Sequence, residues 1–458
     1  GAVPRSFVGP LILSMFSAPF SWICGLLGGT SAHVQVCVRM VLAVATWTSF
    51  VFLAHCLFPK TSRLRVFFYI VCSVQFHLLF WSSRTTPNGL VFPFVTASLG
   101  AIIHGRHAYV GLVALASLAI ILRLELVCLA IPSYLWVWLH QRRRFFVLFL
   151  LGMVSCLCSV AVSMMLDSYF WKQRMLWPEG YALFFNVIQG HSADWGTSPP
   201  WAYLVQDLPR VLGGALPLAL VGCARRRAST RTSLLVHIVV HVGLMSALAH
   251  KEWRFVMYVV PLCNALAALG LEALWKKRIG IFLSMTLLCM SAAFCALATW
   301  ISMSNYPGGE ALVRFHRHIG NWSQSQSQGQ VVHIEPLAAM TGVSLFQSTH
   351  LARPHGSFVP SALPAWIYDK NEHVSDDCAW TYTLSEHACD GLIYVQEGEP
   401  VYAYNGLKMQ GPRAYAMQLS HILVGKVAVQ NIKSVLPFDL MYTPQLWICK
   451  RVVPCDAG

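Results

Sequence analysis

Ten apolar runs, separated by short loops in which basic residues gather, constrain this chain more than any other feature. They lie at 36–58, 66–82, 89–103, 109–122, 124–139, 145–166, 209–223, 233–249, 255–275 and 279–303. A helix needs about 20 residues to cross a bilayer, so the shorter runs have loosely defined ends. The chain is 56% hydrophobic and only 11% charged, against about 25% charged in soluble domains. One globular core cannot hide that much apolar surface. The expected fold is an all-α polytopic membrane protein with about 10–12 transmembrane helices. Segment 9–30 fits the alternation less well: Pro10, Pro19 and the Gly28/Gly29 pair leave a re-entrant or interfacial helix open.

Loop charge gives the orientation. Assigning alternate loops to opposite sides puts Lys60, Arg63, Arg65, Arg106, Arg142, Arg143, Arg144, Arg225, Arg226, Arg227, Arg231, Lys276, Lys277 and Arg278 on one side. The other side holds Arg84, Arg123, Lys172, Arg174, Lys251 and Arg254. The richer side is expected to be cytosolic. The net charge of +14 would suit a nucleic-acid partner if it formed a continuous patch. Clustered between apolar runs, it points to membrane lipid instead, and no nucleic acid is expected.

The long 167–208 loop and everything after residue 303 then fall on the lumenal side. The division expected is 1–303 as the multi-spanning domain and 304–458 as a smaller mixed α/β lumenal domain. In that tail, Gln330–Ile334 and Gly391–Val395 alternate like strands, and Ser323–Gln330 reads as a loop. The triplet Asn321-Trp322-Ser323 makes Asn321 a candidate glycosylation acceptor. Of fifteen cysteines, eleven lie in or beside apolar runs; Cys378, Cys389, Cys449 and Cys455 could pair in an oxidising lumen, in any combination. No metal site and no cofactor is expected, since no cluster has metal-ligand spacing.

Charge in or beside apolar runs is costly, about 2.5–3.5 kcal/mol per group at mid-membrane, and needs a reason. Here it recurs on the lumenal side: Arg84 and Asn88, Arg123 and Glu125, Asp167, the 186–199 loop with Trp195, and His250-Lys251-Glu252-Trp253-Arg254-Phe255. Each has a plain structural reading. Arg123 and Glu125 can neutralise one another, Arg84 can anchor an interface, Asp167 can solvate a helix end, and the tryptophans can be interfacial. Four helix ends carrying charge at one depth favour a polar cavity. On a helix, His250 and Arg254 would share a face near Lys251, a cationic surface suited to a departing phosphate.

His-Lys-Glu-x-Arg-Phe at 250–255 resembles the signature of the lumenal mannosyltransferases that use dolichyl-phosphate mannose, a GT-C fold family (glycosyltransferase family 22). The similarity extends to Val3–Pro10, Gln75-Phe76-His77, Arg84-Thr85-x-Pro87-Asn88, Arg123-x-Glu125, Asp167-Ser168-Tyr169-Phe170-Trp171 and Trp177-Pro178-Glu179. It continues through Asn186…Trp195-Gly196-Thr197-Ser198-Pro199, Asn305–Gly309, His333-Ile334 and Thr341–Ser344. Within the family it is most similar to the branch that adds α-1,6-linked mannose to the heptamannosyl, dolichol-linked N-glycan precursor.

The resemblance implies an inverting transfer in the endoplasmic reticulum lumen. The donor is dolichyl-phosphate mannose and the acceptor a dolichol-pyrophosphate-linked oligosaccharide. The implied substrate-binding residues are His250, Lys251, Glu252, Arg254, Arg84, Asn88, Arg123, Glu125, Asp167 and Trp195. In this family the general base is an acidic residue in the first lumenal loop, upstream of the position matched by Gly1. The chain is therefore expected to lack its start and, alone, to be inactive; Asp167 and Glu125 are the possible stand-ins. The alternatives are a GPI-precursor or α-1,2 mannosyltransferase, a non-catalytic subunit binding lipid-linked sugar, or a transporter for it.

Overall fold

The computed structural model describes residues 4–224, 228–320, 331–348, 366–371, 380–409 and 438–453. Two compact units emerge: residues 1–21 with 36–298, and residues 22–35 with 299–458. The expected calls on Asn321, Ser323–Gln330, Cys378, Cys455 and the side chain of Trp195 lie outside the described residues.

The helices, in order, are α1 (Val8–Leu26), α2 (Ser31–Leu57), α3 (Arg63–Ser73), α4 (Phe76–Trp81), α5 (Pro87–His104), α6 (Ala108–Ile121), α7 (Val127–Leu139), α8 (Phe145–Trp171), α9 (Pro178–Leu183), α10 (Leu208–Leu212), α11 (Ala215–Cys223), α12 (Ala228–Ser246), α13 (Trp253–Val256), α14 (Val260–Leu274), α15 (Arg278–Met303), α16 (Pro307–Gly320) and α17 (Pro336–Met340). Among the described residues, six helical stretches are long and apolar enough to cross a membrane: α1, α2, α5, α8, Trp253–Leu274 and α15. A bent pair, Tyr203–Leu212 with Ala215–Cys223, passes the same test only if its two halves count as one span.

That is fewer than the 10–12 expected, because polar or glycine positions break several runs. The 66–82 run splits at Gln75, whose backbone is extended so that its amide can pair with Asn264 on α14 (2.8 and 2.9 Å) and reach the Leu212 carbonyl. The 209–223 run bends by 111° where Gly213 takes φ +51°. The 109–122 and 124–139 runs give apolar helices of only 10–17 residues. Segment 9–30, left open by the sequence, lies mostly in the continuous 19-residue helix Val8–Leu26, which Pro19 does not interrupt.

In the first unit α14 is the centre: every residue from Val260 to Leu271 is buried. Its small side chains admit neighbours at backbone distance, the usual basis of close helix packing. A Cβ at Gly270 would lie 1.9 Å from the Leu218 carbonyl, and one at Gly222 the same distance from that of Leu266. Around this centre stand α3, α11 and α12. By contrast, only 17% of the α8 window and 11% of the α15 window are buried, so Phe146, Met165, Phe282 and Met290 face outward.

Among the described residues the second unit has six strands: β1 (Val331–Ile334), β2 (Ile367–Asp369), β3 (Tyr382–Ser385), β4 (Tyr394–Gln396), β5 (Val401–Met409) and β6 (Phe438–Arg451). Their order is β2-β1-β3-β6-β4, with β5 also on β6. The pairs β1/β2 and β1/β3 are parallel and those with β6 antiparallel, with His333 beside Thr383 and Asp369. The amphipathic α16 lays Ala311, Leu312 and Phe315 on a core with Val332, Ile334, Leu384 and Ile448. Of the four tail cysteines, Cys389 and Cys449 form a disulfide (Cα–Cα 5.7 Å), tying the turn after β3 to β6.

Candidate active site

Helix α5 begins with Thr86 accepting from the Gly89 N–H and with Pro87 in the first turn, a strong start signal. That start fixes Asn88, which is 2% exposed. The Asn88 amide donates to Glu125 Oε1 (2.8 Å) and to the Tyr258 hydroxyl (2.9 Å). The buried Arg123 donates from Nε to the same Glu125 oxygen at 2.8 Å. Tyr258, fully buried on the Trp253–Leu274 stretch, donates to Glu125 at 3.4 Å. Three segments distant in sequence thus share one carboxylate.

Glu179 extends the network. It accepts from the Leu124 N–H at 2.8 Å and lies 3.6 Å from Arg5, while its Oε1 makes no hydrogen bond. Burial pushes its carboxyl up to about 7, against the pull of the Leu124 N–H and of Arg123. From the ordinary 4.5 up to about 7, the folded protein keeps a proton that the unfolded chain releases. Folding stability is therefore expected to fall as pH rises through that window and to level off above it. Glu179→Gln should remove this slope, read as thermal unfolding midpoints at pH 5 and pH 8.

The 250–255 signature is built differently from expectation. Helix α13 starts only at Trp253, with Glu252 extended (φ −130°, ψ 140°). His250 and Arg254 therefore do not share a helix face. The reason lies in the 196–199 loop. Ser198 N–H donates to the Ala249 carbonyl (3.1 Å), Lys251 Nζ to the Ser198 carbonyl (3.1 Å) and to that of Leu248, and His250 Nδ1 meets the Gly196 carbonyl at 3.0 Å. These bonds hold residues 249–251 out of helix.

Part of the expected cationic surface is also paired internally. Glu252 accepts from Arg254 Nε at 2.6 Å and from its guanidinium NH2, and stands 3.3 Å from His250 Nε2. Burial alone would raise the Glu252 carboxyl, but the hydrogen bond and charge of Arg254, helped by His250, hold it below its usual range. Arg84 lies 4.1 Å over the Phe80 ring.

Asp167 is fully buried, with Phe7 N–H and Ser163 Oγ each at 2.7 Å on its two oxygens. Nearby, Trp171 Nε1 donates to the Arg5 carbonyl (2.9 Å) and Phe170 stacks on Phe7 (4.7 Å). The 167–171 motif is a clamp on the segment entering α1, so neither the substrate contact nor the stand-in base suggested for Asp167 fits its surroundings. Glu125, ringed by Arg123, Asn88 and Tyr258, is equally committed.

Asn88, Arg123, Glu125 and the Glu252–Arg254 segment thus come together, the Asn88 amide reaching the Arg254 carbonyl at 3.5 Å. Tyr258, Glu179 and Arg5 belong to the same network and were missed as site residues. Tyr258, four residues after Arg254, was the most accessible signal.

Residues 4–335 match the Alg9-like mannosyltransferase family. The chain is similar to the Drosophila melanogaster Dol-P-Man:Man(7)GlcNAc(2)-PP-Dol alpha-1,6-mannosyltransferase, 31% identical over 401 residues, covering 84% of this chain and 56% of that protein. The Saccharomyces cerevisiae protein of the same name is 31% identical over 379 residues, 76% of this chain and 68% of its own length. A GPI alpha-1,2-mannosyltransferase 3 from Danio rerio is 31% identical over 212 residues, 43% of this chain and 38% of its own. No solved structure matches. The chain spans little more than half the length of its Drosophila relative, yet the family match covers most of the chain itself. The chain belongs to the Alg9-like mannosyltransferase family.

Proposed function

We propose that this protein transfers mannose from dolichyl-phosphate mannose to the heptamannosyl dolichol-pyrophosphate-linked precursor in α-1,6 linkage, with inversion, at the lumenal face of the endoplasmic reticulum membrane. The observation that carries the reading is the extent of likeness: 84% of the chain is covered by an α-1,6 relative, against 43% by the GPI relative from zebrafish. The outward-facing apolar side chains of α8 and α15 suit a bilayer, and the excess of basic residues in alternate loops supports a lumenal side for the site and the second unit.

In this reading Asn88, Arg123, Glu125, Glu252 and Arg254 form the substrate-facing site. His250 and Lys251 dock the 196–199 loop against it. The partners in this reading are the donor lipid, the lipid-linked acceptor and membrane lipid, not nucleic acid.

The test is glycan profiling of cells lacking the α-1,6 activity. Expression of the protein should convert accumulated heptamannosyl precursor to the octamannosyl form. Arg254→Ala should lower conversion at least about tenfold, a loss of one charged hydrogen bond in the transition state, and His250→Ala should lower it by loosening the 196–199 loop, while protein levels stay normal. Near-normal conversion by both variants would remove these residues from the site.

A further inference from the structure

Within the signature Arg254 is paired with Glu252 and Lys251 is turned onto the Ser198 and Leu248 carbonyls, so neither offers the donor's phosphate the open cationic face that the sequence suggested. A cavity of about 330 Å³ in the first unit offers one. Its polar lining consists of Gln75, His77, Arg210 and Ser291, with no acid among the lining residues. Gln75 is committed to Asn264. The other three keep donors free.

His77 is only 9% exposed, and its ring makes no hydrogen bond among the described residues; its contacts are ring packing, including Trp253 at 5.3 Å. Arg210 is exposed on α10 and forms no hydrogen bond or ion pair within the described residues, although Asp207 lies three positions before it. Ser291 Oγ accepts from the Gly214 N–H at 3.1 Å, which leaves its own proton to donate. Phe76, Leu212, Leu287, Met290 and Phe294 complete the wall. The slot thus sets the His77 ring, the exposed Arg210 guanidinium and the Ser291 hydroxyl beside an apolar wall with no acid among the lining residues, an arrangement that suits an anion with an apolar extension.

We propose that His77, Arg210 and Ser291 hold the single phosphate of a polyprenyl-phosphate lipid, with the start of its isoprenoid chain between Phe76, Met290 and Phe294. Arginine meets phosphate through charge-assisted, often bidentate bonds. The volume lies at the low end for ligand sites, which suits one chain and one phosphate better than a two-chain phospholipid. Trp253 sits between Glu252 and Arg254 and packs on His77, so a phosphate held here lies directly behind the signature. The Gln75-Phe76-His77 motif gains a function: Gln75 breaks the helix and His77 is thereby presented to the slot. The assignment rests on the proposed use of a lipid-phosphate donor and moves that phosphate from residues 250–254 to the cavity.

The experiment is equilibrium binding of farnesyl phosphate to the purified protein in nanodiscs. Farnesol, inorganic phosphate and phosphatidic acid serve as comparators, and mannosyl transfer is assayed on the same preparation. Farnesyl phosphate should bind at least tenfold more tightly than each comparator. Arg210→Ala and His77→Leu should each weaken it about tenfold or more, and Arg210→Lys by less than Arg210→Ala. Arg210 is exposed, so its variants should remain folded, checked by monodispersity and thermal midpoint. Equal binding of farnesol, equal binding of phosphatidic acid, or unchanged affinity in Arg210→Ala overturns the assignment. If wild-type transfer proceeds while these binding results fail, only the cavity assignment falls. If variant-sensitive binding holds without transfer, the site stands and the reaction is at fault.

Discussion

Replacing Glu125 with alanine is expected to destabilise the protein by about 3–5 kcal/mol, because it strands a buried guanidinium. Arg123 is 7% exposed, and Glu125 is its ion-pair partner at 2.8 Å. The same substitution strips an acceptor from Asn88 and from Tyr258. Glu125→Gln keeps the shape and the Asn88 bond but loses the charge, so it should fall between wild type and alanine. The double variant Arg123→Met/Glu125→Leu should be less damaged than Glu125→Ala, since no stranded guanidinium remains. Thermal midpoints across this cycle isolate the coupling. Additive single effects would mean that the pair does not act as one unit.

Gly270→Leu should abolish accumulation of folded protein. A Cβ there would lie 1.9 Å from the Leu218 carbonyl and 2.9 Å from the Gly222 amide, both backbone atoms of α11 that cannot rotate away. Even Gly270→Ala forces the two helices apart, at a cost of about 1–3 kcal/mol. Gly243→Ala on α12 is the control: nothing lies within 4 Å of its added methyl, and its higher helix propensity should make the change neutral or slightly stabilising. Size-exclusion profiles of the membrane-extracted variants read both outcomes.

The convergence of Asn88, Arg123 and Glu125 was legible in sequence because charge inside apolar runs demands a partner, and few partners were on offer. The shape of the signature was not. A spacing of four puts His250 and Arg254 together only on a helix, and whether residues 249–251 are helical is decided by the 196–199 loop, more than fifty positions away. Tyr258 and Glu179 were hidden for a related reason: a tyrosine within an apolar run, and a glutamate at a short helix start, each have an ordinary local explanation. Only the fold shows that both touch the Arg123–Glu125 region.

Helix breaks follow the same logic. The split at Gln75 depends on Asn264, 189 residues distant, whereas the bend at Gly213-Gly214 was written locally. In the tail, β1 (Val331–Ile334) falls where alternation placed it. The second expected strand, Gly391–Val395, begins late because the Asp390 carboxylate takes the N–H groups of Leu392, Ile393 and Tyr394 into a turn. The pairing order around β6 joins strands far apart in sequence, and no local pattern encodes it.

The most direct measurement is in vitro transfer by the purified protein with dolichyl-phosphate mannose and the heptamannosyl dolichol-linked acceptor, followed by linkage-specific mannosidase digestion. One added mannose that only an α-1,6-mannosidase releases is the expected result. A product cleaved as α-1,2, or no product from protein that still binds both lipids, would contradict the account.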